Sequence, residues 1–270
     1  MGDYGYGMAS VRFICGTLDA HRTLQRAIVD ILQADDSITF AACFNANGAV
    51  FEPLLGPDDA VVSDSLDHAS IIEGVGLCRA RRYGYETRDL ADLDRQVVAA
   101  REEGAGRVLI VADGVFSMDG FVVDVGGICE IADRHDALVM VDDCRATGFV
   151  GPGGRSTPAL HGVEDRVDIG HLDIVTSTLG EALGGGMGGF VAARQPVISL
   201  LPQRARPYLF SNALAPALVG CAIEGLRLIA EGRRPPGPPR GQRRPLPLGH
   251  DRRRVHIGGR GTSDHPSGAW

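Results

Sequence analysis

The 270-residue chain contains 27 arginines and no lysine, so chemistry that runs through a lysine amine is closed to it. Its candidate groups sit in short polar strings that follow apolar runs. Cys43-Phe44-Asn45-Ala46-Asn47-Gly48 follows the run at 37–42 and opens a helix, whose free first-turn amides favour an anion such as a phosphate. Any strand-to-helix turn presents such amides, so this signal is weak alone. Ser63-Asp64-Ser65-Leu66-Asp67-His68-Ala69-Ser70 brings in a histidine that can lie flat on a ring, or simply cap the helix it starts. Asp113-Gly114-Val115-Phe116-Ser117-Met118-Asp119-Gly120 is a turn rich in small polar groups. Asp142 ends another apolar run, where a buried carboxylate needs a partner, and Arg145 is one candidate within the chain. Finally, Thr176-Ser177-Thr178-Leu179-Gly180-Glu181 leads into Gly184-Gly185-Gly186-Met187-Gly188-Gly189, where so many glycines imply a tight turn or close backbone approach. No GxGxxG follows the first strand, which weighs against a dinucleotide, although the 184–189 loop leaves a nucleotide-binding α/β protein as an alternative.

Positioning these strings requires alternating elements. Residues 17–33 read as an amphipathic helix with Leu24, Ala27, Ile28, Ile31 and Leu32 on one face. The pattern then predicts a strand at 37–42, a helix at 44–55, a strand at 60–63 and a helix from 68. A strand at 82–85 and a helix at 90–103 follow, then a strand at 107–112, a helix at 125–135 and a strand at 137–142. Strands at 172–177 and 189–193 and a helix at 211–229 complete it. The strands at 107–112 and 137–142 are almost wholly apolar, as buried parallel strands are. This order predicts a three-layer α/β/α domain with a mainly parallel sheet, whose ligand site lies at the carboxyl ends of the strands.

Composition excludes several other classes. Apolar residues at 44% and charged residues at 23% suit a globular chain, and no apolar run approaches the ~18 residues a bilayer demands. The first residues lack the basic flank and apolar stretch of a secretory signal, and six cysteines scattered singly suggest neither a zinc knuckle nor a disulfide framework. A reducing cytoplasm is the expected setting. Residues 233–270 differ: nine arginines oppose two acids, a net of +7, which leaves −14 on residues 1–232 of a chain of net −7. With seven prolines and almost no apolar periodicity, 233–270 is expected to be a disordered Arg/Pro/Gly-rich tail, with an out-of-frame read as a sharper explanation. No aromatic is interleaved for stacking before Trp270, so a nucleic-acid partner is not expected, nor is a membrane.

Taken in order, Ala9-Ser10-Val11-Arg12-Phe13-Ile14-Cys15-Gly16-Thr17, Asp67-His68-Ala69-Ser70-Ile71-Ile72, the stretches 113–120 and 139–150, and Arg206-Pro207-Tyr208-Leu209-Phe210-Ser211-Asn212 resemble the α-oxoamine synthase family of pyridoxal-phosphate enzymes, most nearly its glycine-acetylating branch. The resemblance spans about residues 6–230. It implies an aspartate-aminotransferase-like large domain at 1–232, with the family's N-terminal arm and C-terminal small domain, which carries the substrate-carboxylate site, absent from this chain. It also implies a cytoplasmic homodimer that condenses glycine with acetyl-CoA. On that resemblance, amides of Cys43 and Phe44 cup the cofactor phosphate, His68 stacks on the ring, and Asp142 holds the ring nitrogen protonated. Ser117 lies beside the ring, while Thr178, with Ser211 and Asn212 of the other subunit, binds the phosphate.

Three departures fall on the chemistry. Glu181 stands where the family has its cofactor-binding lysine, and a carboxylate cannot condense with an aldehyde. Arg145 stands where the family has histidine; it can face the ring hydroxyl or capture Asp142. About five extra residues lie before Thr178, because 167–169 and 172–175 both look like one family strand. The expectation is therefore a family member inactive as written: a non-catalytic subunit or a degraded copy.

Overall fold

The computed structural model describes residues 4–162 and 172–232. The tail at 233–270 and the look-alike strand at 167–169 lie outside the described residues. The chain begins with α1 (Arg12–Cys15) and α2 (Asp19–Leu32), then β1 (Asp36–Phe40), α3 (Cys43–Gly48) and α4 (Phe51–Leu54). It continues through β2 (Ala60–Asp64), α5 (Ala69–Leu77), β3 (Arg81–Tyr85), α6 (Leu90–Glu102) and β4 (Val108–Asp113). Next come α7 (Val125–His135), β5 (Leu138–Asp142), α8 (Ser156–Leu160), β6 (Ile174–Thr178) and β7 (Gly189–Ala193), before α9 (Gln195–Arg204), α10 (Arg206–Leu209) and α11 (Pro216–Ala230).

The seven strands form one sheet in the order β1-β7-β6-β5-β4-β2-β3. Only β7 runs against its neighbours, pairing antiparallel with β1 and β6, while the other four pairings are parallel. Side chains alternate between the two faces of a strand. Val108, Ile110 and Ala112 therefore pack on one side with Leu24, Ile28, Leu93, Ile128 and Val219 of α2, α6, α7 and α11. Leu109 and Val111 pack on the other with Ala46, Phe51, Ile71 and Leu201 of α3, α4, α5 and α9. Both faces are dry, which is why these strands read as continuous apolar runs. The expected three-layer α/β/α architecture is present.

Two expected helices differ, each for a proline reason. The helix anticipated at 44–55 is two, α3 and α4, broken at Ala49-Val50. A continuous helix would need an amide at Pro53, which has none; as the third residue of α4 it gives up no bond. The helix anticipated at 211–229 starts only at Pro216, whose fixed φ suits a first helical residue. The helix α9 was not anticipated; its Pro202 lies near the end, two residues before the last helical position.

Arg12 ties two distant strings together. Its buried guanidinium donates to the Tyr208 hydroxyl at 2.7 Å and to Thr17 Oγ1 at 3.0 Å, and lies 4.3 Å from the centre of the Tyr208 ring. Its amide donates to the Ser211 carbonyl at 2.9 Å, and Asn212 Nδ2 donates to the Met8 carbonyl at 2.7 Å. The segment around residues 8–16 is thereby pinned along 206–212.

Candidate functional site

Because the strands are parallel, Asp64, Asp113, Asp142 and Thr178, the last residues of β2, β4, β5 and β6, come out on one edge of the sheet. The start of α3, directly after β1, faces the same edge. A cleft of about 220 Å³ opens there. It brings together Cys43, Phe44, His68, Asp142, Arg145, Thr178 and Glu181, all singled out in the sequence. Ser117, Ser211 and Asn212 do not line it. Ser117 is exposed on the 116–121 turn, closed by the Phe116 amide donating to the Phe121 carbonyl at 2.9 Å. Ser211 and Asn212 are held beside the 8–16 segment.

The floor is a polar chain that the sequence did not reveal as a unit. Asn47 Nδ2 donates to Asp142 Oδ2 at 2.6 Å and to Ser70 Oγ at 2.8 Å, which uses both its hydrogens. Ser70 Oγ lies 2.7 Å from His68 Nδ1, and the Ser70 amide donates to the same nitrogen at 3.2 Å. Since Nδ1 accepts, the neutral ring carries its proton on Nε2, a tautomer assigned from this network. His68 thus caps α5, as one of its two sequence readings had it, and also lines the cleft. Asn47 and Ser70 were missed as site residues. The available signal was spacing: Asn47 is four residues after Cys43, hence on the same face of α3.

Asp142 does not pair with Arg145. Its second oxygen accepts from the Cys144 amide at 2.9 Å, so both oxygens are served by neutral donors in a residue only 4% exposed. Arg145, beyond the turn, reaches Glu181 instead, Nη1 to Oε2 3.2 Å. Both side chains are 42% exposed, so the pair contributes about 1 kcal/mol or less to stability. Two of the three departures singled out in the sequence, Arg145 and Glu181, are therefore partners.

Buried acids crowd the strand ends. Asp67 Oδ1 accepts from the Asp113 amide at 2.9 Å and its Oδ2 from the Asp64 amide at 3.1 Å; Asp113 Oδ2 accepts from the His68 amide at 3.0 Å. Burial, then the charge of Asp142, pushes Asp113 up to about 8. Burial pushes Asp143 up to about 7 despite two hydrogen bonds from Thr157, and holds Asp67 well above the carboxylate range. The folded state therefore keeps protons that the unfolded chain releases near pH 4. Stability must then fall as pH rises from about 4 towards 8, since the unfolded state binds fewer protons there. The thermal midpoint of the chain is expected to be higher at pH 5.5 than at pH 8. Asp113→Asn, which still accepts from the His68 amide, should shrink that difference in calorimetry; an unchanged slope would remove Asp113 from the account.

One glycine sets how close the sheet comes to the cleft. A Cβ on Gly189 would lie 2.4 Å from the Cys43 nitrogen and 2.4 Å from the Ala42 carbonyl carbon. The start of β7, where Gly189 pairs with Phe40, passes directly under the first turn of α3. Gly189→Ala would force main chain against main chain, and we expect a loss of about 3 kcal/mol, the upper end for overpacking, read by denaturant midpoint. The neighbouring glycines spend their amides inside the loop, Gly184 to the Glu181 carbonyl and Gly185 to the Leu179 carbonyl, both at 2.9 Å. Those amides are not turned towards a ligand.

No helix among the described residues is long and apolar enough to cross a membrane. The family model for aminotransferase class I and II matches residues 6–231. A 2-amino-3-ketobutyrate coenzyme A ligase of Salmonella typhimurium is 52% identical over 233 residues, 86% of this chain and 57% of the relative. The mitochondrial protein of that name from Homo sapiens is 49% identical over 227 residues, 84% of this chain and 52% of its own. The chain thus spans a little over half the length of these relatives. Among solved structures, a serine palmitoyltransferase from S. paucimobilis with a bound PLP–myriocin aldimine superposes with a TM-score of 0.79 at 28% identity, covering 86% of this chain and 58% of that one.

Proposed function

The chain belongs to the aminotransferase class I and II family, and on that premise we propose that its cleft holds pyridoxal phosphate without a covalent link and that this chain does not itself condense glycine with acetyl-CoA. The residues present fit the ring: a buried carboxylate, Asp142, lies at the floor of a cleft of about 220 Å³, with His68 on its wall. They do not fit a tether. Asp142 would hold the ring nitrogen, His68 would stack, and the amides of Cys43 and Phe44 with Thr178 would take the phosphate. When bound, the group supplies an electron sink for a carbanion beside an amino group. Arg145 would face the ring hydroxyl, though its partner in this structure is Glu181. Ser117 would approach the ring only by movement of its turn, and Ser211 and Asn212 would serve the cleft of a second copy in a homodimer. The large domain at 1–232 then acts in the cytoplasm as a non-catalytic member of a family whose relatives carry ligase names.

The observation that carries this reading is the carboxylate at position 181, at the cleft and paired with Arg145, in a chain without any lysine. The test is retention. Purified chain loaded with pyridoxal phosphate, treated with borohydride and denatured should show no mass increase, and glycine plus acetyl-CoA should release no coenzyme A. Covalently fixed cofactor, or coenzyme A release above a no-protein control, would overturn the proposal.

A further inference from the structure

We propose that Cys43, Asp142 and Cys144 form a site for a thiophilic divalent cation, zinc or cadmium, at the floor of the cleft. Among the described residues these three form the one cluster whose ligand atoms, two sulfurs and a carboxylate oxygen, all lie within 4.8 Å of one another. Cys43 Sγ is 4.0 Å from Asp142 Oδ2. A tetrahedral cation with metal–sulfur bonds of about 2.3 Å needs ligand separations of about 3.8 Å, so a small side-chain rotation closes the set.

The fold fixes the three by independent elements. Cys43 is the first residue of α3, directly after β1, and Asp142 is the last residue of β5. Cys144 is tied to Asp142 through its own amide, the 2.9 Å bond to Oδ1. Each Asp142 oxygen accepts one strong hydrogen bond and keeps a further lone pair. Two sulfurs with one oxygen select a soft or borderline cation over magnesium or calcium. The fourth position faces the cleft lined by His68 and Glu181, as in zinc sites that keep an open coordination place. Binding converts two thiols to thiolates and releases two protons, leaving the metal with two thiolates and one carboxylate at a local charge of −1. The cation and a pyridinium ring would claim the same carboxylate, so the two ligands exclude each other.

The experiment uses the full chain without cofactor, titrated with Cd²⁺ and followed by cadmium–thiolate absorption in the ultraviolet. One equivalent is expected, undiminished in Cys15→Ser/Cys221→Ser, weakened at least tenfold in Cys43→Ser or Cys144→Ser, and lost in the double variant. Zn²⁺ should displace it. Absorption that survives in Cys43→Ser/Cys144→Ser, or disappears in Cys15→Ser/Cys221→Ser, overturns the site. A second measurement needs no substitution: Cd²⁺ should protect Cys144 from alkylation in peptide mass mapping of the parent chain, and equal labelling with and without Cd²⁺ also overturns it. Neither measurement contains pyridoxal phosphate, so each outcome is separable from failure of the cofactor reading.

Discussion

Glu181→Lys should turn a chain that releases pyridoxal phosphate into one that keeps close to one equivalent after borohydride and denaturation. The change installs the missing amine at the cleft, on the turn closed by the Gly184 amide bonding to the carbonyl of residue 181. It also replaces an ion pair of 3.2 Å by two facing cations. A neighbouring guanidinium lowers an ammonium pKa and so increases the neutral, nucleophilic fraction. The exposed pair contributes little, so the cost in stability is about 1 kcal/mol or less. Arg145→His added to the first change should slow cofactor loading without altering its stoichiometry, because a histidine need not stay charged and then depresses the ammonium pKa less. Intact mass spectrometry reads both. A folded Glu181→Lys chain that binds cofactor reversibly and shows no mass gain would mean that the turn does not deliver position 181 to the cofactor.

Asp142→Asn should weaken pyridoxal phosphate binding by about 10²-fold or more, while leaving the chain folded. The carboxylate is 4% exposed and would be the charged partner of the ring nitrogen; breaking a buried pair of that kind costs about 3–5 kcal/mol. The apo chain loses far less. Removing the charge at 142 also removes a repulsion that it exerts on the neighbouring Asp113 and Asp67. Against this, the substituted amide meets donors from both Asn47 Nδ2 and the Cys144 amide, and can accept from only one without turning its own hydrogens on the other. Fluorescence titration of parent and variant, with a thermal scan of each, decides the matter. Equal affinities would show that the ring nitrogen does not sit at Asp142.

The cleft membership of residues 43, 68, 142, 178 and 181 was readable because each follows an apolar run that could only be a strand in a sheet covered on both faces. Parallel strands then place their ends on one edge whatever the details of packing. Helix limits were less readable where prolines intervene: Pro53 splits α3 from α4, yet Pro202 is absorbed into α9. Local pattern does not distinguish a proline in a first turn from one in a last turn until the flanking residues are packed.

The absence of lysine, and with it of any side-chain amine at position 181, was complete in the sequence, since composition needs no coordinates. So was the layering, because a side chain's face on a strand follows from counting by two. Pairing was not. Whether Arg145 met Asp142 or Glu181 turned on which oxygens were already occupied, and Asp142 was filled by Asn47, 95 residues before it, and by the Cys144 amide. The approach of Cys43 to Cys144 likewise depends on β1 and β5 being brought to the same edge of the sheet through β7 and β6. Periodicity reports how a segment divides between oil and water; competition for a lone pair is settled only when distant strands place their donors in one cleft.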